Sequence, residues 1–122
     1  DLAFIDGQVA QAAGPDGLGL VETPCGVLRC ALADGAAPGG KVAILLRPED
    51  LTLAEPGTAP GDVNVLAGKI VASSFVGEAI EYQAALDGGA VVRFKQHAAR
   101  PLHLGAVVRL QIPHAQCRAL IG

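Results

Sequence analysis

The chain has 122 residues, 51% hydrophobic and 17% charged, which suits one folded core and excludes a disordered tail. Twelve acidic against nine basic side chains leave a formal charge of -3, and aromatic residues make up 3% with no Trp, so a footprint for a phosphate backbone and a platform for base stacking are both missing. No apolar run approaches the ~20 residues of a membrane helix, and Asp1-Leu2-Ala3-Phe4-Ile5-Asp6 lacks the basic start of a secretion signal.

Sixteen Gly and eight Pro cut the sequence into short apolar pieces, which predicts many strands and no long helix. In chain order, strands are predicted over 18–22, 26–31 and 41–46, separated by Thr23-Pro24-Cys25 and by the Gly/Pro-rich turn 34–40. The clearest period of two runs over 79–86, with Ile80, Tyr82, Ala84 and Leu86 on one face and Glu81 and Gln83 on the other. Asp87-Gly88-Gly89 turns that strand into a second one over 90–95, where Val92 and Phe94 oppose Arg93 and Lys95. His97-Ala98-Ala99-Arg100 has some helical propensity, limited to about one turn by Pro101. A last strand covers 107–112 and ends at Pro113.

An internal repeat organises these pieces. Shifted by sixty-five positions, Gly40 overlays Gly105, Leu45 overlays Leu110 and Pro48 overlays Pro113, while Gly7-Gln8-Val9 resembles Gly68-Lys69-Ile70 at a slightly different offset. Two related β units are expected, at about 1–54 and 62–122, within a single domain spanning 1–122 and joined through the Pro/Gly-rich stretch 55–61. An all-β chain of short strands protects its edges by closing, and the two units are expected to share one barrel. The first sixty-one residues carry a balance of -5 and the rest +2, a weak source of attraction between halves.

Residues that carry chemistry are sparse. There is no Gly-x-Ser-x-Gly elbow, and His97, His103 and His114 fall in loops or at strand ends with no Ser or Asp pattern nearby, so no catalytic residue and no enzyme activity are expected. His114-x-x-Cys117 has a chelating spacing, but structural zinc sites use closer paired cysteines; Cys30 and Cys117 read as interior residues and His114 as a turn residue. The three cysteines cannot all pair within one chain, and reduced thiols are expected. Gly39-Gly40-Lys41 precedes a strand rather than a helix and is no phosphate loop. Arg47-Pro48-Glu49-Asp50 has two readings, a turn that ends a strand and a contact surface for another domain or subunit, the latter because Arg offers a planar fork of donors to carboxylates.

From this cluster onward the sequence resembles a family. Val42-Ala43-Ile44-Leu45-Leu46-Arg47-Pro48-Glu49-Asp50-Leu51-Thr52-Leu53, then Asn64-Val65-Leu66-Ala67-Gly68-Lys69-Ile70, Phe75-Val76-Gly77, Tyr82, Asp87-Gly88-Gly89, Leu104-Gly105-Ala106-Val107-Val108 and Cys117-Arg118-Ala119-Leu120 follow the order of the C-terminal regulatory TOBE (transport-associated OB) domain of ABC-importer ATPase subunits. The resemblance implies an all-β, OB-like barrel behind an upstream ATPase domain, with regulation and contacts between paired ATPase subunits as its role and Arg47, Pro48 and Glu49 as its interface motif. It implies no cofactor in this chain, ATP and Mg belonging to the missing ATPase domain. The implied partners are that domain, a second copy of the subunit and, indirectly, the permease subunits at the inner membrane, on its cytoplasmic side. The similarity is strongest to ferric-iron and polyamine importers, with sugar and sulfate importers close behind. An opening residue of Asp rather than Met is expected of a piece of a longer polypeptide and equally of a processed product.

TOBE domains are also related to small modules that hold molybdate or tungstate. That second resemblance points to Asn64, Gly68, Lys69, Ser73 and Ser74 as oxyanion candidates, hydroxyls and backbone N–H groups being suitable donors. Against it, Gly61-Asp62-Val63-Asn64 replaces the Ser-Ala-Arg-Asn run of those modules, losing an Arg and gaining a carboxylate.

Overall fold

The computed structural model describes residues 2–55, 61–98 and 101–121. Among these residues ten strands follow one another: β1 (Ala3–Gln11), β2 (Leu18–Thr23), β3 (Gly26–Leu32), β4 (Lys41–Leu46), β5 (Thr52–Leu53), β6 (Val63–Val76), β7 (Ala79–Leu86), β8 (Val91–His97), β9 (Val107–Pro113) and β10 (Arg118–Leu120). Two 3-10 turns, Pro48–Asp50 and His114–Gln116, separate β4 from β5 and β9 from β10. The alternation read from the sequence is the alternation of burial: Ile80, Tyr82, Ala84 and Leu86 of β7 all point into the core.

His97 lies at a strand end, as expected, and not in the helical turn considered for 97–100. It is the last residue of β8, paired with Ala79, because the ladder that joins Tyr82 to Phe94 runs on to the end of the hairpin. Residues 99 and 100 of the predicted helical piece, and 56–60 of the predicted linker, lie outside the described residues.

The architecture is all-β and built from two related units, but they do not share one barrel. The first closes on itself in the order β1-β2-β3-β10-β4, and the second is a curled sheet in the order β5-β9-β6-β7-β8. Each unit supplies four of its own strands and receives the fifth from the other half of the chain. β5 follows the first unit's β4 yet pairs with β9, and β10 follows the second unit's β9 yet lies between β3 and β4. One core of aliphatic side chains results, with Tyr82 and Phe94 as its largest members.

The repeat is accurate to the level of register, with one correction. Val42, Ile44 and Leu46 are the inward residues of β4, and Val108, Leu110 and Ile112 those of β9. The faces therefore match at sixty-six positions, not sixty-five; an odd slip exchanges inside for outside. Gly39, rather than Gly40, is the counterpart of Gly105. Both sit at positive φ, 85° and 84°, a region open to glycine at little cost. Both donate to the strand carrying the related segment, Gly39 to Val9 and Gly105 to Ile70, each at 2.8 Å. A bulge follows in the same place in β1 and β6, after Val9 and after Ile70.

Candidate functional site

Strand exchange makes two crossovers, and each borders a groove. At the first, the chain leaves β4 through Arg47, and Pro48 opens the 3-10 turn, a position that needs a fixed φ and no N–H. The Arg47 carbonyl accepts from the Asp50 N–H at 3.0 Å, and that of Pro48 from the Leu51 N–H at 3.2 Å. Leu51 is buried, which anchors the turn and leaves Glu49 exposed. The turn reading of this cluster is thus its backbone geometry.

Beyond it lies the seam where the second sheet stays open. β5 and β8 are the two edges of that sheet, and between them runs a groove of ≈ 540 Å³ lined by Pro48, Glu49 and Thr52 on one side and Glu81, Arg93 and Lys95 on the other. Arg93 reaches Glu81 across the β7–β8 ladder at 3.0 Å. The structure thereby joins two residues of the expected interface motif to three charged residues that the sequence reading left as the outward face of a hairpin. Their alternation was visible, but the edge they would meet was not.

At the second crossover, β9 passes through His114 into β10. A groove of ≈ 490 Å³ runs between the units there, with Arg29, Arg109, His114 and Gly61 among its lining residues. Asn64, a buried polar residue of the core, closes its floor. Its amide donates to the Arg29 carbonyl at 2.8 Å and its oxygen accepts from the Arg29 N–H at 3.0 Å, so it acts as one more rung of ladder between β6 and β3. Both hydrogen-bonding ends of Asn64 are occupied by protein.

The remaining oxyanion candidates are placed apart from one another. Lys69 precedes the β6 bulge and is exposed beside Val107; Ser73 and Ser74 follow the bulge, opposite Tyr82 and Glu81. Adjacent strand residues face opposite sides, so the two hydroxyls diverge, and Ser74 lies against a carboxylate-bearing position. Gly68 is buried within the ladder.

The cysteines are free, with Cys25 half-buried and Cys30 and Cys117 fully buried. Sγ of Cys30 and Sγ of Cys117 lie 3.4 Å apart. With Cys30 as donor, that contact favours a thiolate at Cys117 and lowers its pKa, assisted by the Asn64 side chain against the effect of burial. The same contact, with burial, raises that of Cys30. Cys25 is raised by burial and by Asp87, whose carbonyl its thiol meets at 3.3 Å. Sequence spacing offered no sign of the Cys30–Cys117 contact, because it depends on β10 crossing into the first barrel.

No helix among the described residues is long and apolar enough to cross a membrane. Among curated proteins no relative matches the sequence. Among solved structures, the cytoplasmic molybdate-binding protein ModG, crystallised with molybdate bound, is similar in fold: the TM-score is 0.82 at 16% identity, covering 98% of this chain and 95% of that one. The sequence model of the TOBE domain matches residues 44–120, from within β4 to the end of β10. Spanning both crossovers and most of the chain, that match shows that the protein belongs to the TOBE domain family.

Proposed function

We propose that this TOBE domain is the non-catalytic regulatory and dimerisation domain of an ABC-importer ATPase subunit, working on the cytoplasmic side of the membrane with ferric iron or a polyamine as the favoured cargo. The observation that carries this reading is the Arg47-Pro48-Glu49 crossover. It presents the family motif at the surface, beside an open sheet edge lined with Glu81, Arg93 and Lys95. Such a seam offers a partner both charged side chains and unpaired strand edges. Exposed Phe75 and Val107 add apolar surface suited to a protein partner.

The test is light scattering on the domain and on Arg47→Ala. Self-association that weakens in the variant, with the melting temperature unchanged, supports the interface role; a monomeric variant that also melts early assigns Arg47 to the turn alone. ATP is expected to leave the melting temperature where it is.

A second reading is an oxyanion-binding module. It draws on the likeness to ModG and on the cationic groove that brings Arg29, Arg109 and His114 to one crossover. A saturable thermal shift with molybdate or tungstate, absent with ATP, would favour this reading, since a ligand of the folded state raises stability. Arg109→Ala is the variant that should abolish it, because Asn64 is already committed to Arg29.

A further inference from the structure

We propose that Cys30 and Cys117 are a redox modification site, oxidised by a small peroxide to a reversible disulfide that fastens β10 into the first barrel. The contact at 3.4 Å is between two fully buried thiols, 87 positions apart in sequence, brought to one barrel from the two halves of the chain. β10 runs parallel to β3 with Arg118 opposite Ala31, which sets Cys117 beside Cys30 one step earlier. The Ala31 N–H donates to the Cys117 carbonyl at 2.8 Å and holds the two backbones at ladder spacing. Neighbouring strands lie about 4.8 Å apart, inside the span of about 4.4–6.8 Å between Cα atoms that a disulfide bridges without backbone movement.

The chemistry divides between the two sulfurs. Cys117, hydrogen-bonded by Cys30 and Asn64, is the better thiolate and attacks one peroxide oxygen. The O–O bond breaks, one water leaves, and Cys117 becomes a sulfenic acid. The Cys30 sulfur then attacks the Cys117 sulfur; the S–O bond breaks and the second water carries away the Cys30 proton. In all, two thiols lose two protons and two electrons, and the peroxide is reduced to two waters. An added dithiol reverses the bond by exchange.

Entry of the oxidant requires β10 to open. A three-residue strand held by short ladders to β3 and β4 is the kind of element that opens locally without global unfolding. The bond would tie the second unit's exchanged strand to the first unit's β3, so the redox state sets how firmly the two units are joined.

The experiment treats the reduced domain with hydrogen peroxide, blocks remaining thiols under denaturing conditions, and maps unreduced peptides by mass spectrometry. Expected are a Cys30–Cys117 peptide within one chain, retention of a free Cys25, recovery of all three thiols with dithiothreitol, and a melting temperature at least about 5 °C higher when oxidised. Cys117→Ala should give neither the linked peptide nor the rise. Peptide mapping on the unaltered chain decides the matter even where that variant folds poorly. Sulfinic acids at Cys30 or Cys117 without a bridge, or links through Cys25 alone, overturn the proposal; a bridge that leaves the melting temperature unchanged overturns its fastening role.

Discussion

The two β units follow one plan and end differently: the first closes and the second does not. Register decides which residues correspond. Gly19 faces Cys30 in the first unit and Tyr82 faces Phe94 in the second, and the residue that follows each 3-10 turn is Cys117 or Leu51. Small groups thus take these places in the first unit, where a Cβ on Gly19 would come within 2.5 Å of the Gln11 carbonyl oxygen at the end of the β1–β2 ladder. In the second unit Tyr82 and Phe94 stack across the β7–β8 ladder with centroids 5.5 Å apart, and Leu51 is buried beside the turn. The Tyr82 hydroxyl also accepts from the Leu102 N–H at 2.8 Å. Strand order and register are otherwise shared, so side-chain volume at these three positions is the difference between the units that mutation can test.

The largest expected effect comes from removing one of the stacked rings. Phe94→Ala empties the most crowded part of the second unit and should cost about 3–5 kcal/mol by urea denaturation, whereas Cys30→Ala at the matching place should cost about 1 kcal/mol. Equal costs would mean that the rings do not set the two units apart. A smaller loss is expected at the tie between them. Asn64→Ala leaves the N–H and the carbonyl of Arg29 without their partners and should cost about 2–4 kcal/mol. The related position in the first unit, Ala3, has no polar group, so this tie runs one way only. A loss below about 0.5 kcal/mol would assign the Arg29 groups to water instead.

Much of this is legible in the sequence. β2, β3, β4, β7, β8 and β9 were predicted to within one or two residues at each end, because their apolar residues alternate cleanly between Gly and Pro turns. β1 and β6 were weaker signals: Gly7 and Gly68 occupy the apolar face, and the bulges after Val9 and Ile70 break the period. β5 and β10 are two and three residues long, too short to show a pattern, and their partners are chosen by the edge the other half leaves open. Sequence identity places the repeat one residue short because Pro48 and Pro113 share an identity without sharing a role; Pro48 matches His114, the first residue of the other 3-10 turn. Of the candidate site, Arg47, Pro48 and Glu49 could be picked out from a local motif. Glu81, Arg93, Lys95 and the two buried thiols could not, since each gains its significance from a strand far away in sequence.

The finest expected difference is at single amides along the two seams. Ala31 on β3 donates its N–H across the closed seam to Cys117, while Lys95, its counterpart on β8, stands at an open edge. The Leu86 N–H donates to Ala90 across the β7–β8 hairpin, and Ala84 pairs with Val92 and Tyr82 with Phe94 two residues at a time. In an antiparallel ladder the bonded pairs alternate, so the Lys95 N–H is directed off the sheet toward the groove. Its exchange with deuterium should be at least about tenfold faster than that of Ala31 in the same sample, about 1.4 kcal/mol less protection. A partner strand or peptide that adds to the second unit's edge should slow Lys95 and leave Ala31 alone, whereas reduction of a Cys30–Cys117 disulfide should speed Ala31 and leave Lys95 alone. If Lys95 is as protected as Ala31 in the isolated domain, the seam is closed in solution, and volume at Leu51, Tyr82 and Phe94 is not what distinguishes the two units.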